Sequence, residues 1–191
     1  MLVGGVSPMM RKLSLKLHKE GHKIYVLTGS RNPSNHFEYA FERYDFPYDN
    51  ASVEEVFRSV NPDVTILLGA CDGNLSGEDP KREAIRYAAG LQNILLSWSA
   101  LEKGRLIYLS SAEVYGSSYQ IPVTETIQPV PRGIRPLMLY QGEESCRFYH
   151  EHLGRDVLVL RLDRLHDVPV NPREASETIC GSKCLDAVRD G

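Results

Sequence analysis

Few residues able to do chemistry stand at a spacing that permits it. Tyr140 and Glu144 are four apart and share a face if the segment is helical. A phenol ordinarily titrates near 10, and a neighbouring anion moves that value further up. Ser111 stands at the end of an apolar run, where its hydroxyl either bonds the backbone or meets a ligand. Cys180 and Cys184 are also four apart, but two thiols without further ligands make a poor zinc site, so they read as structural. His150 and His152 flank Glu151 near a helix end, where a histidine commonly meets the last carbonyls; metal binding is the lesser reading. Arg132 and Arg135 lie among prolines and read as solvated loop charges before anion ligands. Trp98, among Ala and Leu, reads as core or interface rather than a stacking platform.

The elements that must position these residues alternate along the chain. Leu2-Val3 is a strand stub followed by Gly4-Gly5. A helix from about 8 to 20 opens on Pro8 and stacks Met10, Leu13 and Leu17. Ile24 to Leu27 reads as a buried strand, and Ser52-Val53-Glu54-Glu55 as a capping box opening a helix. Strands follow at Val64 to Leu68, Leu106 to Leu109 and Val157 to Leu160. A long helix after Pro80 and another from about 140 to 152 separate them. Continuous apolar strands alternating with helices imply a parallel sheet covered on both faces, a Rossmann-like doubly wound α/β domain. The irregular stretches 71–80 and 117–136 each follow a strand, at the edge where such sheets bind ligands.

Composition excludes several classes. The chain has 191 residues, 42% apolar and 25% charged, which fits neither a disordered tail, a collagen-like fibre nor a disulfide miniprotein. A net charge of −3 offers no global field for nucleic acid or an anionic membrane. No apolar run approaches the ~20 residues of a membrane helix. Four cysteines and no readable signal peptide lead to the expectation of a cytoplasmic protein.

Several anchors stand in a recognisable order. They are Gly4-Gly5, Leu67-Leu68-Gly69-Ala70, Gly90-x-x-Asn93, the run Leu109-Ser110-Ser111-Ala112-Glu113-Val114-Tyr115-Gly116, and Tyr140. Together they resemble the extended short-chain dehydrogenase/reductase family, the NAD-dependent sugar-nucleotide epimerases and dehydratases, over roughly residues 2 to 165. The resemblance implies that Ser111 polarises a substrate carbonyl and that Tyr140 is the general acid/base. It places a Lys four residues later, to bind the cofactor ribose and lower the Tyr pKa. That position is Glu144 here, and no Lys occurs from Gly104 to Ser182. Arg147 is a rigid and poor stand-in. The family's G-x-x-G-x-x-G phosphate turn is reduced to Gly4, with Gly5 beside it, then Ser7 and Met10. Ser7 and the free N–H groups of the helix N-terminus are still expected to meet a phosphate, while Met10 fills the space of the last glycine. Thr28 replaces the Asp that takes the ribose hydroxyls of NAD, and Arg31 beyond it favours the 2′-phosphate of NADP, unless Arg31 is merely solvated. Asp49, Gly69 and Ala70 complete the cofactor side. In the run Arg161 to Pro169, the Asn and Gly of the family's R-x-x-N-x-x-G-P are missing.

The expectation is a NAD(P)-binding-type domain over residues 1–165, with 166–191 the start of a missing or truncated substrate domain. Its catalysis is expected to be impaired, leaving a nucleotide-binding or accessory role for a nucleotide or nucleotide-sugar. An active NADP-dependent enzyme, with Glu144 as acid/base, and a non-binding dimeric scaffold are the alternatives. The family commonly dimerises through helices here at about 81–101 and 140–152, so a homodimer or part of a larger chain is expected, without metal.

Overall fold

A computed structural model describes residues 1–4, 7–28, 42–45, 50–68, 80–116 and 123–162. Its strands are β1 (Leu2–Val3), β2 (Tyr25–Thr28), β3 (Glu42–Asp45), β4 (Val64–Leu68), β5 (Arg105–Ser111) and β6 (Val157–Leu162). The helices between them are α1 (Pro8–Lys19), α2 (Asn50–Val60), α3 (Pro80–Ser99) and α4 (Ile134–Leu153). A 3-10 turn, Ala112–Tyr115, follows β5 directly. All strand pairs are parallel, in the order β3-β2-β1-β4-β5-β6. The order reverses between β1 and β4, and ligands of doubly wound sheets enter beyond the carboxyl ends of the strands at such a point. The chain therefore forms the expected Rossmann-like α/β fold.

Strand alternation divides the core in two. Val3, Leu27, Leu67, Leu106 and Tyr108 pack with Val53 and Phe57 of α2, Leu95 and Trp98 of α3, and Leu139 and Cys146 of α4. Leu2, Val26, Ile66, Leu68, Ile107 and Leu109 pack instead with Met10, Leu13 and Leu17 of α1. Burial on both faces is why these strands read as unbroken apolar runs. Trp98 is fully buried, as its surroundings in the sequence suggest.

Two helix starts and one unforeseen strand stand out against the sequence expectation. α4 starts at Ile134, not near Tyr140, because Pro136 falls in its first turn, where a missing N–H breaks no helical bond. Tyr140 therefore sits well inside the helix. α2 begins at Asn50, two residues before the expected cap Ser52. β3 has the sequence Glu-Arg-Tyr-Asp, which carries no apolar run to read; it is the edge strand beyond β2.

Candidate functional site

The expected catalytic residues stand at the carboxyl end of β5, which holds Ser111, and on α4, which holds Tyr140 and Glu144. β5 runs through Ser110 to Ser111, and Ser111 caps the 3-10 turn by accepting the Glu113 N–H at 3.2 Å. A hydroxyl has one proton, so Ser111 keeps it for donation. Glu113 is ion-paired with Arg135 in the first turn of α4. Arg135 is thus a helical residue with a partner, not the solvated loop charge expected; Arg132 is exposed.

α4 approaches β5 closely because Gly142 permits it. A Cβ there would stand 2.2 Å from the Tyr108 hydroxyl. That hydroxyl donates to the Leu139 carbonyl at 3.2 Å and meets the Tyr87 hydroxyl at 2.8 Å. One residue on, Glu143 is 3% exposed and accepts a hydrogen bond from the Ser110 hydroxyl. Arg161 of β6 donates to the same carboxylate, through Nε at 3.1 Å and through Nη2 at 2.6 Å. Its Nη1 donates to the Tyr115 hydroxyl at 2.8 Å, and the guanidinium lies 4.8 Å from the centre of that ring. Burial disfavours the charge on Arg161, but the bonds to Glu143 and Tyr115 outweigh it, and its pKa is raised.

Tyr140 is half-buried on the same helix and packed against the larger core cluster. Its pKa lies above the ordinary phenol value, through burial first and then through the charge and hydrogen bonding of Glu144. Arg147 pulls weakly the other way and is ion-paired with Glu144 at 2.8 Å.

A second group lies at the ends of β1, α1 and β2. Gly4 has a φ of +136°, and a Cβ on it would lie 3.0 Å from that of Leu68. Ser7 caps α1 by accepting the Met10 N–H at 3.1 Å. Pro8 at the first position has no N–H to offer. The helix start is therefore poorer in anion-binding donors than the free N-terminus expected. Met10 is fully buried in the core beneath α1, and Thr28 is buried at the end of β2. Gly5, Arg31, Asp49, Gly69, Ala70, Cys180 and Cys184 lie outside the described residues.

The cluster of Ser110, Glu143 and Arg161 escaped the sequence analysis, although Glu143 falls at helical spacing between buried Leu139 and Cys146, a signal that its charge obscured. His150 meets the Arg155 carbonyl through Nδ1 at 2.9 Å. Among the described residues no group of three or more His, Cys, Asp or Glu side chains could hold a metal, and no helix is long and apolar enough to cross a membrane. A cavity of about 830 Å³, lined among others by Lys23, Asp63 and Arg105, opens at the amino-terminal edge of the sheet, away from the candidate site.

A parallel sheet in this order, with Gly4 at positive φ directly after its first strand, defines a dinucleotide-binding type of domain. The model of the NAD dependent epimerase/dehydratase family matches residues 1–166, and the chain belongs to that family. It is similar to the UDP-glucose 4-epimerase of Thermotoga maritima solved with UDP-glucose, at 22% identity and TM-score 0.75, over 84% of this chain and 54% of that one. The UDP-glucose 4-epimerase of Brucella ovis in complex with NAD is 20% identical, with TM-score 0.74, over 84% of this chain and 50% of that one. A short-chain dehydrogenase/reductase superfamily protein of Agrobacterium tumefaciens with bound NAD is 22% identical, with TM-score 0.68, over 84% and 48%. At these identities the likeness establishes the fold, and the chain spans about half the length of each structure. No curated protein sequence matches it.

Proposed function

We propose that residues 1–165 form a cytoplasmic nucleotide-binding or accessory domain of the epimerase/dehydratase type, in which hydride-transfer catalysis is impaired. The observation that carries this is Glu144 beside Tyr140, at the position where the family resemblance places a Lys. A cation there would favour tyrosinate, whereas the carboxylate helps to keep the phenol protonated. Ser111 and Tyr140 then act as neutral donors toward a ligand oxygen rather than as a proton-transfer pair.

NAD is the cofactor held by two of the similar structures, and UDP-glucose the ligand of another. On the cofactor side, Gly4, Gly5, Gly69, Ala70 and Asp49 would line the dinucleotide. The bond from Met10 to Ser7, the proline at the helix start and the buried Met10 fit a pyrophosphate cradle poorly, so binding is weak. Where a dinucleotide binds, Thr28 and Arg31 favour NADP over NAD.

A titration of NADH, NADPH and UDP-glucose against the full chain, followed by fluorescence and calorimetry, tests this. Weak binding without turnover is the expected result, with NADPH preferred to NADH. Micromolar NADPH binding accompanied by turnover would restore full catalysis, and no binding at millimolar ligand would leave a scaffold. One observation favours a working enzyme as the second reading: the Glu144 carboxylate stands four residues after Tyr140 on α4, close enough to raise the phenol pKa. Tyr140 could then take a substrate hydroxyl proton while passing its own to the Glu144 carboxylate, and the rate would follow a carboxylate titration.

We also infer a homodimer. Ile85 and Leu96 on α3, and Leu137 and Phe148 on α4, are each eleven residues apart and so fall on one face of their helix. All four are exposed. Gln92 donates to Ser145 across the two helices at 3.1 Å, which sets the two stripes side by side.

A further inference from the structure

Behind the candidate site lies a charged cluster to which the chemistry above gives no task. Glu143 is nearly inaccessible, yet it accepts bonds from Ser110 on β5 and from Arg161 on β6. A buried ion pair adds little net stability, because desolvating two charges offsets their attraction. What it does impose is geometry, since a guanidinium fork on a carboxylate restricts direction as well as distance.

Its connections are specific to the elements that carry the candidate residues. Ser110 precedes Ser111 on β5, and β6 is in register there, with Ser110 opposite Arg161. Glu143 precedes Glu144 and stands almost one helical turn after Tyr140. Tyr115, the second partner of Arg161, ends the 3-10 turn that Ser111 caps. The ion pair of Glu113 with Arg135 ties the same turn to the start of α4. Gly142 sets how near α4 comes to Tyr108, and Glu143 sets its rotation and height.

We propose that Glu143 and Arg161 are positioning residues: with Ser110 and Tyr115 they hold α4 in the one register that keeps Tyr140 in a fixed relation to Ser111. The proposal rests on Ser111 and Tyr140 forming the ligand site. Neither Glu143 nor Arg161 need touch the ligand.

The test uses the full chain carrying tyrosine labelled with ¹³C at Cζ, with the Tyr140 resonance assigned by its loss in Tyr140→Phe. The decisive variant is the double substitution Glu143→Leu with Arg161→Leu, which removes both charges together and leaves no unpaired buried ion. It is expected to melt cooperatively, as the parent does, while the Tyr140 resonance moves or splits at neutral pH. Affinity for UDP-glucose should fall roughly tenfold or more, as for other displaced binding groups. Arg161→Lys keeps the charge without the fork, and is expected to recover part of both readouts. A double variant with an unmoved Tyr140 resonance and unchanged affinity overturns the proposal, as does one that cannot fold while Arg161→Lys matches the parent in both readouts. If the parent chain binds no UDP-glucose, the ligand reading fails on its own, and the Tyr140 resonance alone decides the positioning.

Discussion

Glu144 is the residue on which the functional reading turns, and its effect has a sign that can be measured. The phenol of Tyr140 is held above the ordinary value by burial and by that carboxylate. Tyr140 should therefore ionise above pH 10, as read from the tyrosinate absorbance lost in Tyr140→Phe. Glu144→Lys replaces an anion by a cation at the same helical spacing and should move the Tyr140 titration downward. An unchanged titration would show that Tyr140 and Glu144 do not interact. This pair was legible before any coordinates, because helical spacing alone places the two side chains on one face. The Glu143 cluster was not, because its partners come from strands 18 and 33 residues away.

At the scale of an element, α4 is where local preference and tertiary fit conflict. Glycine inside a helix costs about 1 kcal/mol relative to alanine, so Gly142→Ala would stabilise an isolated helix. Here the added Cβ meets the Tyr108 ring and hydroxyl, and overpacking of that kind costs about 1–3 kcal/mol. The clash wins, and Gly142→Ala should lower the urea midpoint with an unchanged slope. Cys146 on the same helix is fully buried, and burial pushes its thiol from the usual 9 up to about 12. Between those values the unfolded chain has lost the thiol proton while the folded chain keeps it. The contribution of this thiol to stability is thus fully present below pH 9 and is lost as pH rises toward 12, by at most about 4 kcal/mol. Cys146→Ala should flatten that decline in urea titrations across this range. The start of α4 was misjudged from sequence because Pro136 resembles a loop residue until its place in a first turn is known.

For the molecule as a whole, the exposed stripe on α3 and α4 predicts association. Phe148→Glu places a charge within it and should shift the chain toward monomer in sedimentation equilibrium, with its thermal melt little changed, since Phe148 is 52% exposed. A parent chain that is already monomeric would remove the homodimer. By itself the sequence determined the parallel sheet and its two-sided core, because apolar periodicity is a local signal, and its motifs from Gly4 to Tyr140 carried the family resemblance. It also placed Tyr140 beside Glu144, since both belong to one helix. Only the tertiary structure decided how α4 is seated: the notch at Gly142, the burial of Glu143 and its bonds to Ser110 and Arg161. Those contacts join a helix to strands distant in the chain, and no local pattern encodes which strand residue will face which turn.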